Sequence, residues 1–330
     1  MGKRTIYYMG DFVSDNGPAI VNKSYQKYLS KQCYICRTNN KFIRVVQFII
    51  HLLNTRILLI SGLSKFHLIA IKIAKKLKVK VVYLMHGYNK MEYEINNIPL
   101  SARKLEKVES QILKEADKII CVSKIFADYM KKQRTDIADK IDFVSNGVAY
   151  KKYKKRSTKK DMYTIISVGG GIRIKNNLDV CKAIEQIDNS QRIKFIVIGP
   201  KKQDGNLISK YEFVEYYEQL PHDEVIKKMQ TSDLYIQNSY FDTFGLSVTE
   251  AIEAGCQVLI SKDIGAISIL ENLNKDMIIN ENTNVNEIKD KIEKAMLNRG
   301  QKPIIDYEKY SWESQSKKLI SKLYEVANEK

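Results

Sequence analysis

The chain has 330 residues, 44% of them hydrophobic, which is enough for two ordinary domains that each bury a core. Its formal net charge is +17, and the five cysteines include a Cys33-x2-Cys36 pair with no second pair or His cluster beside it, which excludes a finger-type zinc site and a disulfide framework. The apolar region 43–60 is broken by Arg44, Gln47, His51, Asn54 and Arg56, and the short apolar part of the N-terminus does not make a signal peptide.

In chain order the first half alternates strand-like runs with amphipathic stretches. Strands are predicted at 5–12, 33–36, 57–61, 79–84, 118–122 and 141–144, with helices at 19–30, 41–53, 65–77, 102–116 and 124–131. The run 150–160, rich in Lys and without apolar periodicity, reads as a linker. A second alternation follows, with strands at 163–168, 194–198, 234–238, 258–260 and 277–279 and helices at 177–187, 223–229, 246–254 and 285–297. One long helix, 310–329, ends the chain and holds the single Trp, Trp312. Strand and helix in alternation predict two doubly wound parallel α/β sheets, so the first domain is expected at 1–150 and the second at 151–309.

Charge divides along the same line. Residues 1–160 carry 33 Lys and Arg against 12 Asp and Glu, whereas 161–330 carry 22 against 26. Between Asn16 and Met91 there is no acidic residue, while Lys72, Lys75, Lys76, Lys78 and Lys80 follow one another closely. A generally lysine-rich composition would make both halves basic, so the first half calls for an anionic partner. An anionic membrane surface attracts about 1 kcal/mol per basic residue, and nucleic acid is the other candidate. No helix-turn-helix, zinc-finger or aromatic RNA-binding signature accompanies the charge, so the membrane is favoured and nucleic acid is not expected.

In open parallel sheets ligands bind beyond the C-terminal ends of the strands, and four loops there carry polar or glycine-rich motifs. After the first strand, Asn16-Gly17-Pro18 combines backbone freedom with a helix start. His86-Gly87 follows the run 79–84. Residues 167–177 read S-V-G-G-G-I-R-I-K-N-N, without the third glycine of a dinucleotide fingerprint. Residues 237–255 hold Asp242, Phe244, Gly245 and Leu246 at a helix start, and Glu250 eight residues beyond Asp242. Unpartnered amides and the macrodipole make that helix start an anion site, and the two carboxylates can accept hydrogen bonds from hydroxyls. A phosphate flanked by polyols is a nucleotide sugar.

The segment Asp242-x-Phe244-Gly245 with Glu250, Ala251 and Gly255 resembles the acidic-x7-acidic motif of retaining GT-B glycosyltransferases, family 4 in particular, with Asp in place of the usual first Glu. Residues 116–123 and the Asn146-Gly147-Val148 segment resemble that family's late first-domain landmarks, and the likeness runs over about 5–325. The resemblance implies two Rossmann-like domains facing a cleft, with 310–330 packing back on the first domain. It implies a retaining transferase that moves a sugar from a nucleoside diphosphate, most simply UDP, onto a saccharide or polyprenyl-linked acceptor in polysaccharide or glycoconjugate synthesis. It places the diphosphate on Lys175, Gly170, Gly171 and the helix start, the ribose on Glu250, the sugar on Asp242 and His86, the donor near Asn16 and Gly17, and the base near Gly199. The family's usual Arg is replaced by Gly170, with Arg173 three residues later as the substitute cation. No Asp-x-Asp pair is present, so no metal or other cofactor is expected beside the nucleotide-sugar co-substrate.

The expected location is the cytoplasm, at the inner face of the membrane, and a homo- or hetero-oligomer is compatible with the sequence. The loss of the Arg also motivates a non-catalytic partner subunit of the same fold, and a sugar-nucleotide epimerase shares the architecture.

Overall fold

The computed structural model describes residues 4–14, 16–35, 41–151, 153, 162–188 and 192–329. Contacts divide the chain into two compact units, the first comprising Met1–Tyr93, Ile98–Ala149 and Tyr307–Lys330, the second Glu94–Asn97 and Tyr150–Asp306. Most of the expected linker, and Cys36, lie outside the described residues.

Unit one is a six-stranded, all-parallel sheet built from β1 (Ile6–Gly10), β2 (Cys33–Ile35), β3 (Ile57–Ser61), β4 (Lys80–Met85), β5 (Lys118–Cys121) and β6 (Ile141–Phe143), in the order β2-β1-β3-β4-β5-β6. Its β-branched runs are covered on both faces, as a parallel sheet requires, and Ile57, Leu58, Leu59 and Ile60 are fully buried. The intervening helices are α1 (Gly17–Leu29), α2 (Lys41–Leu52), α3 (Lys65–Lys76), α4 (Asn89–Ile95), α5 (Glu106–Glu115) and α6 (Lys124–Gln133). Side chains cap three of them: Asn16 accepts from Ala19 N, Ser64 from His67 N and Ser123 from Phe126 N. α5 is shorter than the run 102–116, because Leu100–Ala102 form a 3-10 turn and Arg103 Nε donates to Ile98 O at 2.9 Å.

Unit two repeats the architecture with β7 (Tyr163–Val168), β8 (Ile193–Ile198), β9 (Val214–Tyr217), β10 (Leu234–Gln237) and β11 (Gln257–Ser261), a short antiparallel pair β12 (Leu270–Glu271) and β14 (Ile304–Ile305), and β13 (Ile278–Ile279). The main sheet runs β13-β11-β10-β7-β8-β9, all parallel. Its helices are α7 (Asn177–Glu185), α8 (Gly205–Ile208), α9 (His222–Gln230), α10 (Leu246–Ala254) and α11 (Val285–Leu297). Periodicity did not predict β9: it is an edge strand whose four residues are only half-buried, so V-E-Y-Y lacks a strong apolar signature.

The last helices, α12 (Tyr307–Tyr310) and α13 (Trp312–Asn328), belong to unit one. Trp312 meets Tyr25 edge-on at 5.2 Å. A Cβ at Gly147 would lie 2.5 Å from Trp312 Cα, so the Asn146-Gly147-Val148 segment needs glycine to let the incoming helix seat. Val148 N donates to Tyr310 O at 2.8 Å, Lys322 pairs with Asp142, and Arg56 donates to Ala327 O at 3.2 Å. Cys33, Cys121, Cys181 and Cys256 are buried free thiols, and burial pushes Cys33 up to about 12.

Candidate active site

In unit two the chain leaves β7 towards β8 on one side and reaches β10 on the other, so the loops after β7 and β10 part at a topological switch point. The loop after β7 is pinned to the loop after β8. Gly169 and Gly170 donate to Ile198 O at 2.7 and 3.0 Å, and Gly171 donates to Pro200 O at 2.9 Å. Gly170 has φ +60, and a Cβ there would lie 2.4 Å from Gly199 C and Pro200 O; at Gly171 it would lie 2.0 Å from Lys201 O. Gly170 and Gly171 therefore supply close backbone approach, while their amides are already spent within the protein. Gly199, with φ +135, donates to Tyr217 O at 2.8 Å.

Lys175 closes the same loop and reaches across to the loop after β10, where its Nζ lies 2.5 Å from Asp242 Oδ2. Gln237 Nε2 donates to that oxygen at 2.7 Å, and Phe244 N donates to Oδ1 at 3.1 Å. Asp242 is itself fixed by its backbone: its N–H donates to Asp263 O and its carbonyl accepts from Gly265 N. Gln237 is held in turn beside the Tyr235 and Ser247 hydroxyls. The Phe244 amide is thus a partner of Asp242, and the anion-binding capacity of α10 rests with the amides that follow it. Gly245, in the left-handed region at φ 86, precedes Leu246, the first residue of that helix. Arg173 does not join Lys175: its guanidinium lies 3.6 Å from Asp204 and its backbone N–H donates to Gln203 Oε1 at 3.4 Å.

Glu250 lies one turn into α10 and pairs with His222 of α9, Oε1 to Nε2 at 2.9 Å. The bond to Glu250 holds His222 above its ordinary value. Glu253, one turn further, is raised to about 8 by burial and then by the Glu250 charge. Gln237 and His222 were not singled out in the sequence. A Gln ending a buried strand was the available signal for the first; nothing local marks the second.

Unit one has its own switch point between β1 and β3. Asn16 is there the N-cap of α1, and a Cβ at Gly17 would meet nothing within 4 Å, so no close packing within the protein demands glycine there. At the ends of β3 and β4, Ser61 Oγ lies 2.7 Å from His86 Nε2 and 2.6 Å from Asn22 Oδ1, which also accepts from Tyr8 at 2.7 Å. Burial holds His86 down at about 4, so the ring is neutral near pH 7. Asn22 and Ser61 were also missed in the sequence, because their role arises from three strands and a helix meeting.

Two family profiles divide the chain where the units divide. "Glycosyltransferase Family 4" matches residues 31–152 and "Glycosyl transferases group 1" matches residues 150–312. The chain belongs to the GT-B glycosyltransferases. Solved structures of similar fold include a sucrose-phosphate synthase from Thermosynechococcus elongatus, with TM-score 0.67 and 15% identity, covering 98% of this chain and 96% of that one. The apo lipopolysaccharide outer core galactosyltransferase WaaB gives 0.67 and 14%, covering 97% and 99%. Anabaena HepE in complex with UDP and glucose gives 0.61 and 12%, covering 98% and 97%. No curated protein matches the sequence. For a glycosyltransferase of this fold, the Lys175–Asp242 contact occupies the place where an open α/β sheet binds its ligand.

Proposed function

We propose that this glycosyltransferase moves a sugar from a nucleoside diphosphate, most simply UDP, to a saccharide or lipid-linked saccharide acceptor with retention of anomeric configuration. The observation that carries the reading is the Lys175–Asp242–Gln237 cluster at the switch point of unit two. A cation beside a helix start suits a leaving diphosphate, and a carboxylate held by its own backbone suits sugar hydroxyls. Lys175 and the first turn of α10 would take the diphosphate, Asp242 the sugar, Glu250 the ribose and His86 the transferred sugar. Lys175 and the α10 amides would balance the leaving group's charge without a divalent metal. HepE, crystallised with UDP and glucose, supports a uridine donor.

The acceptor side of the proposal rests on α2 and the charge around it. Val45, Val46, Ile49 and Ile50 of this helix, and Leu53 just after it, are exposed while Phe48 and Leu52 are buried, so an apolar face remains towards solvent. The stretch from Asn16 to Met91 carries 14 Lys and Arg and no acid. An exposed apolar helix face within so basic a stretch of chain suits the surface of an anionic bilayer. A second copy would bring the same charge to the same face. Among the described residues no helix is long and apolar enough to cross a membrane.

The deciding experiment is a thermal-shift panel with UDP, GDP, dTDP and CMP on the wild type and on Glu250→Ala, paired with donor-hydrolysis assays with and without EDTA. A ligand at about a hundred times its dissociation constant adds roughly 2.7 kcal/mol. UDP shifting the wild type but not the variant, with EDTA-insensitive hydrolysis, is the expected result. A flat response to all four nucleotides would overturn the donor assignment.

A further inference from the structure

Three loops of unit two meet on one main-chain carbonyl. After β7 the chain makes a 3-10 turn, Arg173–Lys175, and then passes through Asn176 in the left-handed region at φ 50. Asn176 stands at the N-cap position of α7, where an asparagine ordinarily accepts from a helix amide, yet its side chain makes no such bond. Its Nδ2 donates instead to Asn282 O at 2.6 Å, in the loop after β13. Asn238, which follows β10 and is fully buried, donates from its own Nδ2 to the same oxygen at 2.8 Å and to Asn176 O at 3.4 Å. Asn282 Nδ2 returns to Ser239 O at 3.2 Å, and Tyr240 N donates to Ile174 O at 2.9 Å. Each of these side-chain bonds runs from an amide nitrogen to a main-chain carbonyl, which only accepts, so each of the three amides has one orientation. The residues on either side of Lys175 are therefore both tied to the loop that carries Asp242.

We infer that Asn176, Asn238 and Asn282 are positioning residues that hold Lys175 against Asp242. An ammonium on a flexible stem has rotamer freedom to lose, so its 2.5 Å contact with Asp242 needs a main chain fixed at the root of the stem. The strands do not supply that root: the ladder between β7 and β10 ends at Ile166 and Tyr235, before either loop begins. Beyond it the two loops are joined by Asn238 and Tyr240, and Asn282 brings the third loop onto both. The positioning follows from this geometry alone; its effect on ligand binding rests on the proposed place of Lys175 at the diphosphate.

The test uses the full chain and reads Lys175 itself. Acetylation by acetic anhydride, followed site by site by mass spectrometry, should be slow at Lys175 in the wild type. It should be about tenfold faster in Asn176→Gly, which keeps the left-handed backbone and removes the amide. Asn282→Asp, which sets an oxygen against Ser239 O at a partly exposed position, is the second variant and should give the same change. Lys291, in the same unit and 11% exposed, should keep its rate in both. The binding arm is a double-mutant cycle read by isothermal titration with UDP. Asn176→Gly should weaken UDP binding about tenfold, the worth of one neutral hydrogen bond, and should cost nothing further in a Lys175→Ala background. An unchanged Lys175 rate in both variants, or a rise shared by Lys291, overturns the positioning role. A loss of UDP affinity that persists in Lys175→Ala overturns its link to the ligand. A wild type that binds no UDP would instead strike the donor reading, with the positioning role decided by the acetylation rates.

Discussion

Lys175 Nζ and Asp242 Oδ2 lie 2.5 Å apart although 67 residues separate them in the chain, and both side chains are largely withdrawn from solvent. If the donor enters here as proposed, its binding exchanges this contact for one with phosphate and one with hydroxyl. Lys175→Ala should therefore lower turnover roughly a hundredfold, the usual effect of deleting one preorganised charge partner. Asp242→Asn should behave differently: it releases Lys175, so UDP affinity should hold or rise while turnover of the intact donor falls. Isothermal titration with UDP beside initial-rate kinetics separates the two outcomes.

His222 and Glu250 predict a pH dependence of nucleotide binding. His222 is held above its ordinary value by the bond to Glu250, so the charged pair is fully formed below the usual histidine value of about 6.5 and is lost as pH rises through the raised value. The pair's stabilising effect follows the same sign but is small, because His222 is half-exposed and screened. If Glu250 binds the ribose, protonated His222 competes with the ligand, and UDP affinity should climb as His222 deprotonates. His222→Ala should flatten that climb in titrations from pH 6 to 9. A climb that persists in the variant would assign it to another group.

Glu253, raised to about 8 by burial, carries a separate prediction for stability. Its folded form prefers the proton, so stability from this position is complete below the unfolded value of about 4.3 and is lost as pH rises through 8. Glu253→Gln should raise the melting midpoint by a few degrees at pH 9 and leave it unchanged at pH 4, read by scanning calorimetry.

Restoring the family's arginine in the loop after β7 should fail. Gly170→Arg places a Cβ 2.4 Å from two backbone atoms at φ +60, and the left-handed conformation alone costs roughly 1–2 kcal/mol. The expected result is a destabilised protein with weaker nucleotide binding. Arg173→Ala, which loses the contact with Asp204, should be mild by comparison. Chemical denaturation of both variants checks the ranking.

The exposed face of α2 predicts binding to vesicles containing phosphatidylserine and none to phosphatidylcholine alone, weakened at high salt. Ile50→Asp should reduce co-sedimentation about tenfold or more, since it replaces exposed apolar area that the bilayer would cover with a charge facing an anionic surface, while leaving UDP binding intact. A concentration-dependent dimer abolished by the same substitution would assign the face to a second copy.

What the chain order by itself determined was the alternation of strands and helices and the loops worth searching. Parallel sheets covered on both faces read as short apolar β-branched runs, and Ile57–Ser61, Tyr163–Val168, Leu246–Ala254 and Val285–Leu297 fall where those periods place them. Asp242, Lys175 and His86 were singled out as candidates, because they lie in loops after strands in motifs that resemble the family's. Only the tertiary structure decided what each of these residues faces. The carboxylate of Asp242 is set by Gln237 and the Phe244 amide, Glu250 is paired with a histidine from a different helix, and Arg173 is turned to Asp204. The glycines after β7 serve backbone packing against a loop some thirty residues away, and His86 is held by Ser61, which reaches Asn22 in turn. The physical reason is common to all of them: periodicity records which way a side chain points relative to its own element, whereas hydrogen-bond partners and steric limits are set by loops that the sheet order brings together.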